Sequence, residues 1–150
     1  ALELARHNID LNKPFSGSPS KSSSSNVKFV TGDVFAELRR FRAGDRKFDA
    51  VILDPPKFAQ RNSQIKSAAR GYQDINRLSM SILRPGGALV TFSCSGLISP
   101  DLFQKIIFSA SLEAKREVQI LEKLGHSSDH PILITVPETE YLKGFICRVW

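Results

Sequence analysis

Apolar and polar positions fall into two rhythms along this chain. At the start Leu2, Ala5 and Ile9 roughly share one helical face while Glu3, Arg6 and Asn12 lie elsewhere, so the chain opens in a helix. Residues 14–26 read Pro-Phe-Ser-Gly-Ser-Pro-Ser-Lys-Ser-Ser-Ser-Ser-Asn, a Ser-rich stretch expected to form a flexible loop. Strand and helix then alternate. Residues 27–31 predict a short strand, Gly32-Asp33 a turn, 34–42 a helix, and Gly44-Asp45 its end. Phe-Asp-Ala-Val-Ile-Leu at 48–53 is a near-continuous apolar run, which predicts a parallel strand covered on both faces. Asp54-Pro55-Pro56 stops it, because proline cannot continue a central ladder.

Further along, a helix is expected over 71–83. Pro85-Gly86-Gly87 then turns the chain into a buried strand at 88–93. Residues 101–110 predict another helix, and 118–124 and 144–150 the last two strands. A long polar loop containing Ser127-Ser128-Asp129-His130-Pro131 joins those two. The alternation defines an α/β fold with a mostly parallel sheet. In such sheets the ligand site lies beyond the carboxyl ends of the strands. Asp33, Asp54 and Cys94 stand at three successive strand ends, which makes that edge the candidate site.

Length and charge narrow the picture. The 150 residues are one domain's worth, with 41% hydrophobic and 24% charged residues, a globular balance that excludes a disordered or coiled-coil chain. No apolar run approaches the roughly 20 residues of a membrane span, and the first residues do not form a secretory signal. The two cysteines have no metal-type spacing and suggest no disulfide framework, so a cytoplasmic location is expected. Net charge is +6, with pI near 9.6. Most of the excess lies in 55–84, where Lys57, Arg61, Lys66, Arg70, Arg77 and Arg84 face Asp74 as the only acid. Such a stretch is either a solvated helix face or a surface for a polyanion.

The residue types suggest chemistry. The Asp54 carboxylate can accept hydrogen bonds from an amine or hydroxyl, and two prolines hold the adjoining loop extended at little ordering cost. Phe58 beside it is a candidate for stacking on a planar base. Cys94 near a basic segment is either a nucleophile with raised thiolate content or a small buried hydrophobe. Cys147, within the apolar run 145–147, reads as a core residue. His7 and His126 have no partner pattern. His130 is either a substrate contact or a structural loop residue. A Gly-x-Gly-x-x-Gly turn is absent from the nine glycines.

Three strings carry a resemblance: Asp54-Pro55-Pro56-Lys57-Phe58, Gly71-Tyr72-Gln73-Asp74-Ile75-Asn76 and Phe92-Ser93-Cys94-Ser95-Gly96. As an ordered set they resemble the class I S-adenosylmethionine-dependent RNA methyltransferases, and among these the large-subunit ribosomal RNA cytosine-C5 enzymes. Residues 101–107, 129–131 and 141–145 are similar to that subgroup too. The resemblance implies a Rossmann-like sheet in the order 3-2-1-4-5-7-6, mostly parallel with an antiparallel C-terminal strand. It implies that this chain is the C-terminal portion of a catalytic domain, without the first two strands, the glycine loop and the ribose-binding acid. The strand at 27–31 would then lack a sheet neighbour, and either a missing N-terminal half or a second copy would complete the edge.

The resemblance also implies roles. The cofactor is S-adenosyl-L-methionine, held by Asp33, Val34, Asp54 and Pro55, with Asp33 accepting the adenine amino group. Cys94 is the nucleophile and Asp54 the residue that holds the base. Pro56, Lys57, Phe58, Arg70, Tyr72, Asn76 and His130 are expected to meet RNA, with Phe58 and Tyr72 as the stacking candidates. No metal is implied, and the partner is ribosomal RNA. Many cytosine-C5 RNA enzymes carry a second cysteine near Asp-Pro-Pro, where this chain has Pro56 and Lys57, so a two-cysteine release does not apply. Two other readings remain at this point: a methyltransferase acting on guanine or an exocyclic amine without a thiol, and a non-catalytic RNA-binding fragment.

Overall fold

The computed structural model describes residues 2–11 and 27–150, and the Ser-rich stretch lies outside the described residues. The chain divides into two units, 1–32 and 33–150. In the first, α1 spans Leu2–Leu11 with Ala5 and Ile9 half-buried. The Arg6 guanidinium sits 5.5 Å over the Phe29 ring. Residues 27–31, expected as a strand, have no regular structure, and Val27 and Val30 are exposed. A strand forms only where a neighbour takes up its backbone groups, and 27–31 is not part of the sheet.

The second unit runs α2 (Val34–Ala43), β1 (Phe48–Leu53), α3 (Ile65–Ile82), β2 (Leu83–Ser93), α4 (Pro100–Ala114), β3 (Val118–Leu124) and β4 (Lys143–Val149), with short 3-10 turns at Asn62–Gln64 and Pro137–Thr139. The sheet order is β1-β2-β4-β3. β1 and β2 are parallel, and β4 runs antiparallel to both β2 and β3. The expected architecture is therefore present: this is the 4-5-7-6 half of the expected strand order, with the C-terminal strand inserted antiparallel.

Local chemistry sets the helix ends. Asp33 caps α2, accepting from Ala36 N at 2.9 Å. Ser99 caps α4, accepting from Leu102 N at 3.1 Å, with Pro100 in the first turn. α3 starts six residues before the expected Gly71. Glycine is kept inside this helix because a Cβ there would press on the Phe58 ring at 3.2 Å. β2 also starts early, at Leu83, and Pro85-Gly86-Gly87 forms an irregularity within the strand rather than a turn before it. Gly86 has φ +79°, which only glycine adopts freely.

The core lies between the helix layer and the face carrying Leu89, Thr91, Ser93, Phe145, Cys147 and Val149. Rings link the layers: Tyr72 on α3 meets Phe103 on α4 at 5.6 Å, and Phe103 stacks on Phe145 at 5.5 Å. On the other face Ala50 is exposed and Ile52 is 70% exposed. The expectation that β1 is covered on both faces therefore fails within this chain: its apolar run is buried on one side only. Arg116, just after α4, ties the base of the unit together. Its guanidinium donates to the carbonyls of Met80 (2.8 Å), Leu83 (2.9 Å) and Trp150 (2.5 Å). No helix among the described residues is long and apolar enough to cross a membrane.

Candidate active site

The loop that leaves β1 divides the carboxyl edge of the sheet into two cavities. One, of about 470 Å³, is lined by Asp33, Val34, Phe35, Ile52, Asp54, Pro55, Pro56 and Phe58 among others. The four expected cofactor residues Asp33, Val34, Asp54 and Pro55 thus meet around one space. Asp33 spends one carboxylate oxygen on the α2 cap, and its second makes no hydrogen bond to a described residue. It keeps acceptor capacity for an amino group.

The second cavity, of about 720 Å³, is lined by Lys57, Gln60, Cys94, Gly96, Leu97, Pro137, Glu138, Glu140 and Tyr141. Cys94 is half-buried, and its thiol points at the Pro55 carbonyl, 3.9 Å away. Residues 54–57 therefore form the wall between the two spaces, with Asp54 and Pro55 on one side and Lys57 on the other. Ser95, next to the thiol, is fully buried; its hydroxyl donates to Ala59 O at 2.9 Å and accepts from Ala59 N at 3.3 Å. This pins the Cys94 turn to the residues that follow Phe58.

Tyr72 and Asn76, expected at the RNA surface, are both fully buried. Tyr72 packs 4.6 Å from Phe58, and Asn76 donates to Tyr72 O at 2.8 Å. Neither is available to a base, because the early start of α3 turns them onto its inner face with Ala68, Ile75 and Ser79. The Tyr72 hydroxyl lies near Ser93, Ser95 and the Phe58 backbone but aligns with none well enough for a hydrogen bond, and burial pushes its pKa up. Phe58 and Pro56 border the Asp54 cavity rather than the Cys94 cavity. His130 lines a separate space of about 460 Å³ with His126, Asp129 and Tyr141. The expected RNA residues are thus not gathered at one place.

Arg70 is exposed on α3. It shares with Lys57, Arg61 and Lys66 the absence of any ion pair to a described residue, whereas Arg77 pairs with Asp74 and Glu113 and Arg84 with Asp49. The basic stretch is thereby split: Lys57, which lines the Cys94 cavity, and Arg61, Lys66 and Arg70 pair with no described carboxylate, while Arg77 and Arg84 are held in ion pairs. Gln60, Glu138 and Glu140 were not singled out from sequence; they stand in loops with no periodic signal, and Tyr141 was part of a recognised string without a role. Lys143 was part of a recognised string without a role, and the structure buries it beside the Cys94 turn.

No protein-family model matches the chain. The fold is that of the Rossmann-like methyltransferases: the crystal structure of a protein assigned as a methyltransferase, in complex with S-adenosylhomocysteine, superposes with TM-score 0.65 at 26% identity, over 78% of this chain and 30% of that one. A Streptococcus mutans protein assigned as an S-adenosylmethionine-dependent methyltransferase superposes with TM-score 0.64 at 22% identity, over 78% and 29% of the two chains. By sequence, the chain is 50% identical over 149 residues to the ribosomal RNA large subunit methyltransferase I of Salmonella arizonae, covering 99% of this chain and 35% of that protein. The namesake protein of Salmonella newport matches to the same extent. The chain thus spans about a third of the length of the curated relatives it matches.

Proposed function

We propose that this chain is the C-terminal part of the catalytic domain of a cytoplasmic, S-adenosylmethionine-dependent ribosomal RNA methyltransferase that acts on cytosine C5 through Cys94. One observation carries the reading: two cavities share the 54–57 wall, with Asp33, Val34, Asp54 and Pro55 around one and Cys94 and Lys57 around the other. A methyl donor and a base in these spaces would meet across Asp54 and Pro55. The name of the 50%-identical relatives points to the same substrate class.

The residues present fit the adenine end of the cofactor: Asp33 has a free carboxylate oxygen for an amino group, and Val34 offers an exposed apolar side chain. S-adenosylmethionine, when bound, supplies an electrophilic methyl group. Cytosine C5 is a poor nucleophile, and the chain's own contribution is to change that. The Cys94 thiolate adds to C6, forming a carbon–sulfur bond and placing electron density at C5. Asp54 holds the base edge in the enamine form. After C5 is methylated its proton leaves to a base, the carbon–sulfur bond breaks and the thiolate returns. Lys57, Arg61, Lys66 and Arg70 hold RNA phosphates at the rim.

The test is transfer of a radiolabelled methyl group to large-subunit ribosomal RNA, with digestion to nucleosides. The expected product is 5-methylcytidine, lost in Cys94→Ala and trapped as a covalent protein–RNA complex when 5-fluorocytidine replaces the target. Transfer that survives Cys94→Ala would assign the chain to methylation without a thiol.

A further inference from the structure

Lys143 opens β4 directly across from Ser93, the residue before Cys94. It is only 7% exposed. Its ammonium donates to Ser95 O and Ile98 O, each at 2.6 Å, and these two residues close the turn that follows the cysteine, with Ile98 N donating to Ser95 O at 3.0 Å. Two carbonyls satisfy two of its three protons. No carboxylate of the described residues lies within ion-pair distance. A buried ammonium without an anion is costly, because carbonyl dipoles replace only part of its hydration. Asp101 and Glu140 line a cavity with Lys143 but are exposed and form no ion pair with it, which leaves Cys94, as a thiolate, to be the negative group on the buried side.

We propose that Lys143 is the positioning residue of Cys94: it clamps the 95–98 turn and supplies the buried positive charge that balances the thiolate. The inference rests on the reading of Cys94 as the nucleophile. Burial lowers the Lys143 pKa, while the Cys94 thiolate opposes that shift and Lys57 adds to it. The other groups that face the cysteine are Lys57 from the β1 loop, the Tyr72 hydroxyl from α3, and Glu138, Glu140 and Tyr141 from the segment before β4. The two glutamates oppose a thiolate, so the fixed cation on the buried side sets the balance.

The experiment is the pH dependence of Cys94 alkylation by iodoacetamide in the full chain, with neither cofactor nor RNA present. Cys147 is silent in this assay, being fully buried with its thiol pushed up to about 11. In Lys143→Met the alkylation midpoint is expected to move to higher pH and the rate at neutral pH to fall about tenfold, one pKa unit's worth. Lys143→Arg retains the midpoint. An unchanged midpoint in a folded Lys143→Met protein overturns the proposal and leaves the lysine as a clamp on the turn alone. If Lys143→Met does not fold, Cys94→Asp against Cys94→Asn decides. A fixed anion beside Lys143 should melt higher than its neutral isostere, and an Asp protein that melts no higher overturns the proposal. Methyl transfer surviving Cys94→Ala removes the nucleophile reading without touching the alkylation result, so the two failures are distinguishable.

Discussion

The thiol of Cys94 and the carbonyl of Pro55 face each other across 3.9 Å, although 39 residues separate them in the chain. The contact joins the ends of two neighbouring parallel strands, β1 and β2. Because Leu53 pairs with Thr91, the chain beyond Leu53 and the chain beyond Ser93 emerge side by side. A carboxylate at the first end and a thiol at the second then fall on opposite sides of one short wall.

That geometry gives Asp54 a role that its fold does not need. It is exposed and makes no ion pair with a described residue. Asp54→Asn is expected to change stability by no more than about 0.5 kcal/mol. Methyl transfer should fall about 10- to 100-fold, the loss of one charged hydrogen bond of about 1.5–3 kcal/mol. Thermal melting and single-turnover transfer on the same preparation separate the two effects. A full-rate Asn variant would remove Asp54 from the chemistry.

Tyr72 is expected to behave as a core residue. Its ring fills space between Phe58 and Phe103, and its buried hydroxyl has no hydrogen-bond partner. Tyr72→Phe should therefore be no less stable than the parent, since it removes an unsatisfied buried group. Tyr72→Ala should lose about 3–5 kcal/mol. Denaturant titration of both variants checks this. Weaker RNA binding by a fully stable Tyr72→Phe protein would return the residue to the RNA surface.

Much of this arrangement is legible in the chain itself. The apolar run at 48–53 and its Asp-Pro-Pro stop mark β1 to the residue, and the expected cofactor residues Asp33 and Asp54 line one cavity while Cys94 lines its neighbour. What is not legible has physical causes. The face of α3 depends on where the helix starts, and Gly71 looks like a boundary until the ring of Phe58 is seen against it. With the start at Ile65, Ala68, Tyr72, Ile75, Asn76 and Ser79 fall on one inner stripe. Lys143 could not be placed inside from its type, because lysine is almost never fully buried. Its burial follows from two carbonyls that only the folded 95–98 turn brings together. The strand expected at 27–31 fails for a different reason: local pattern specifies a strand only where a neighbour exists to pair with it.

The split of the basic stretch predicts which charges meet RNA. Lys66 and Arg70 are exposed and pair with no described carboxylate, whereas Arg77 is held by Asp74 and Glu113. For a single-stranded RNA, Lys66→Gln and Arg70→Gln should each reduce the slope of log affinity against log salt by about 0.7. Arg77→Gln should leave the slope unchanged and lower the melting temperature instead, because it removes the Arg77–Glu113 ion pair between α3 and α4 and the Asp74 pair within α3. Filter binding over a range of potassium chloride reads the slopes. An Arg77 effect on slope as large as that of Lys66 would contradict the assignment of the surface.

Cys147 makes the core sensitive to alkali. It is fully buried on β4 against the helix layer, and burial raises its thiol from 9.0 to about 11. The folded pKa lies above the unfolded one, so the folded state holds the proton longer. Its contribution to stability is fully present below pH 9 and is lost as pH rises from 9 through 11. Two units correspond to a loss of about 2.7 kcal/mol at most. Cys147→Ala should start from a lower stability at neutral pH, because a small cavity replaces the sulfur. It should then lose about 2 kcal/mol less than the parent between neutral pH and pH 11. Tyr72, whose pKa burial also raises, adds an alkaline loss of the same sign that persists in the Cys147→Ala protein. Urea unfolding at closely spaced pH values, with parent and variant in parallel, measures the difference. Parallel curves would mean that the thiol is protonated to the same extent in both states, and that the β4 face is less dry than its packing implies.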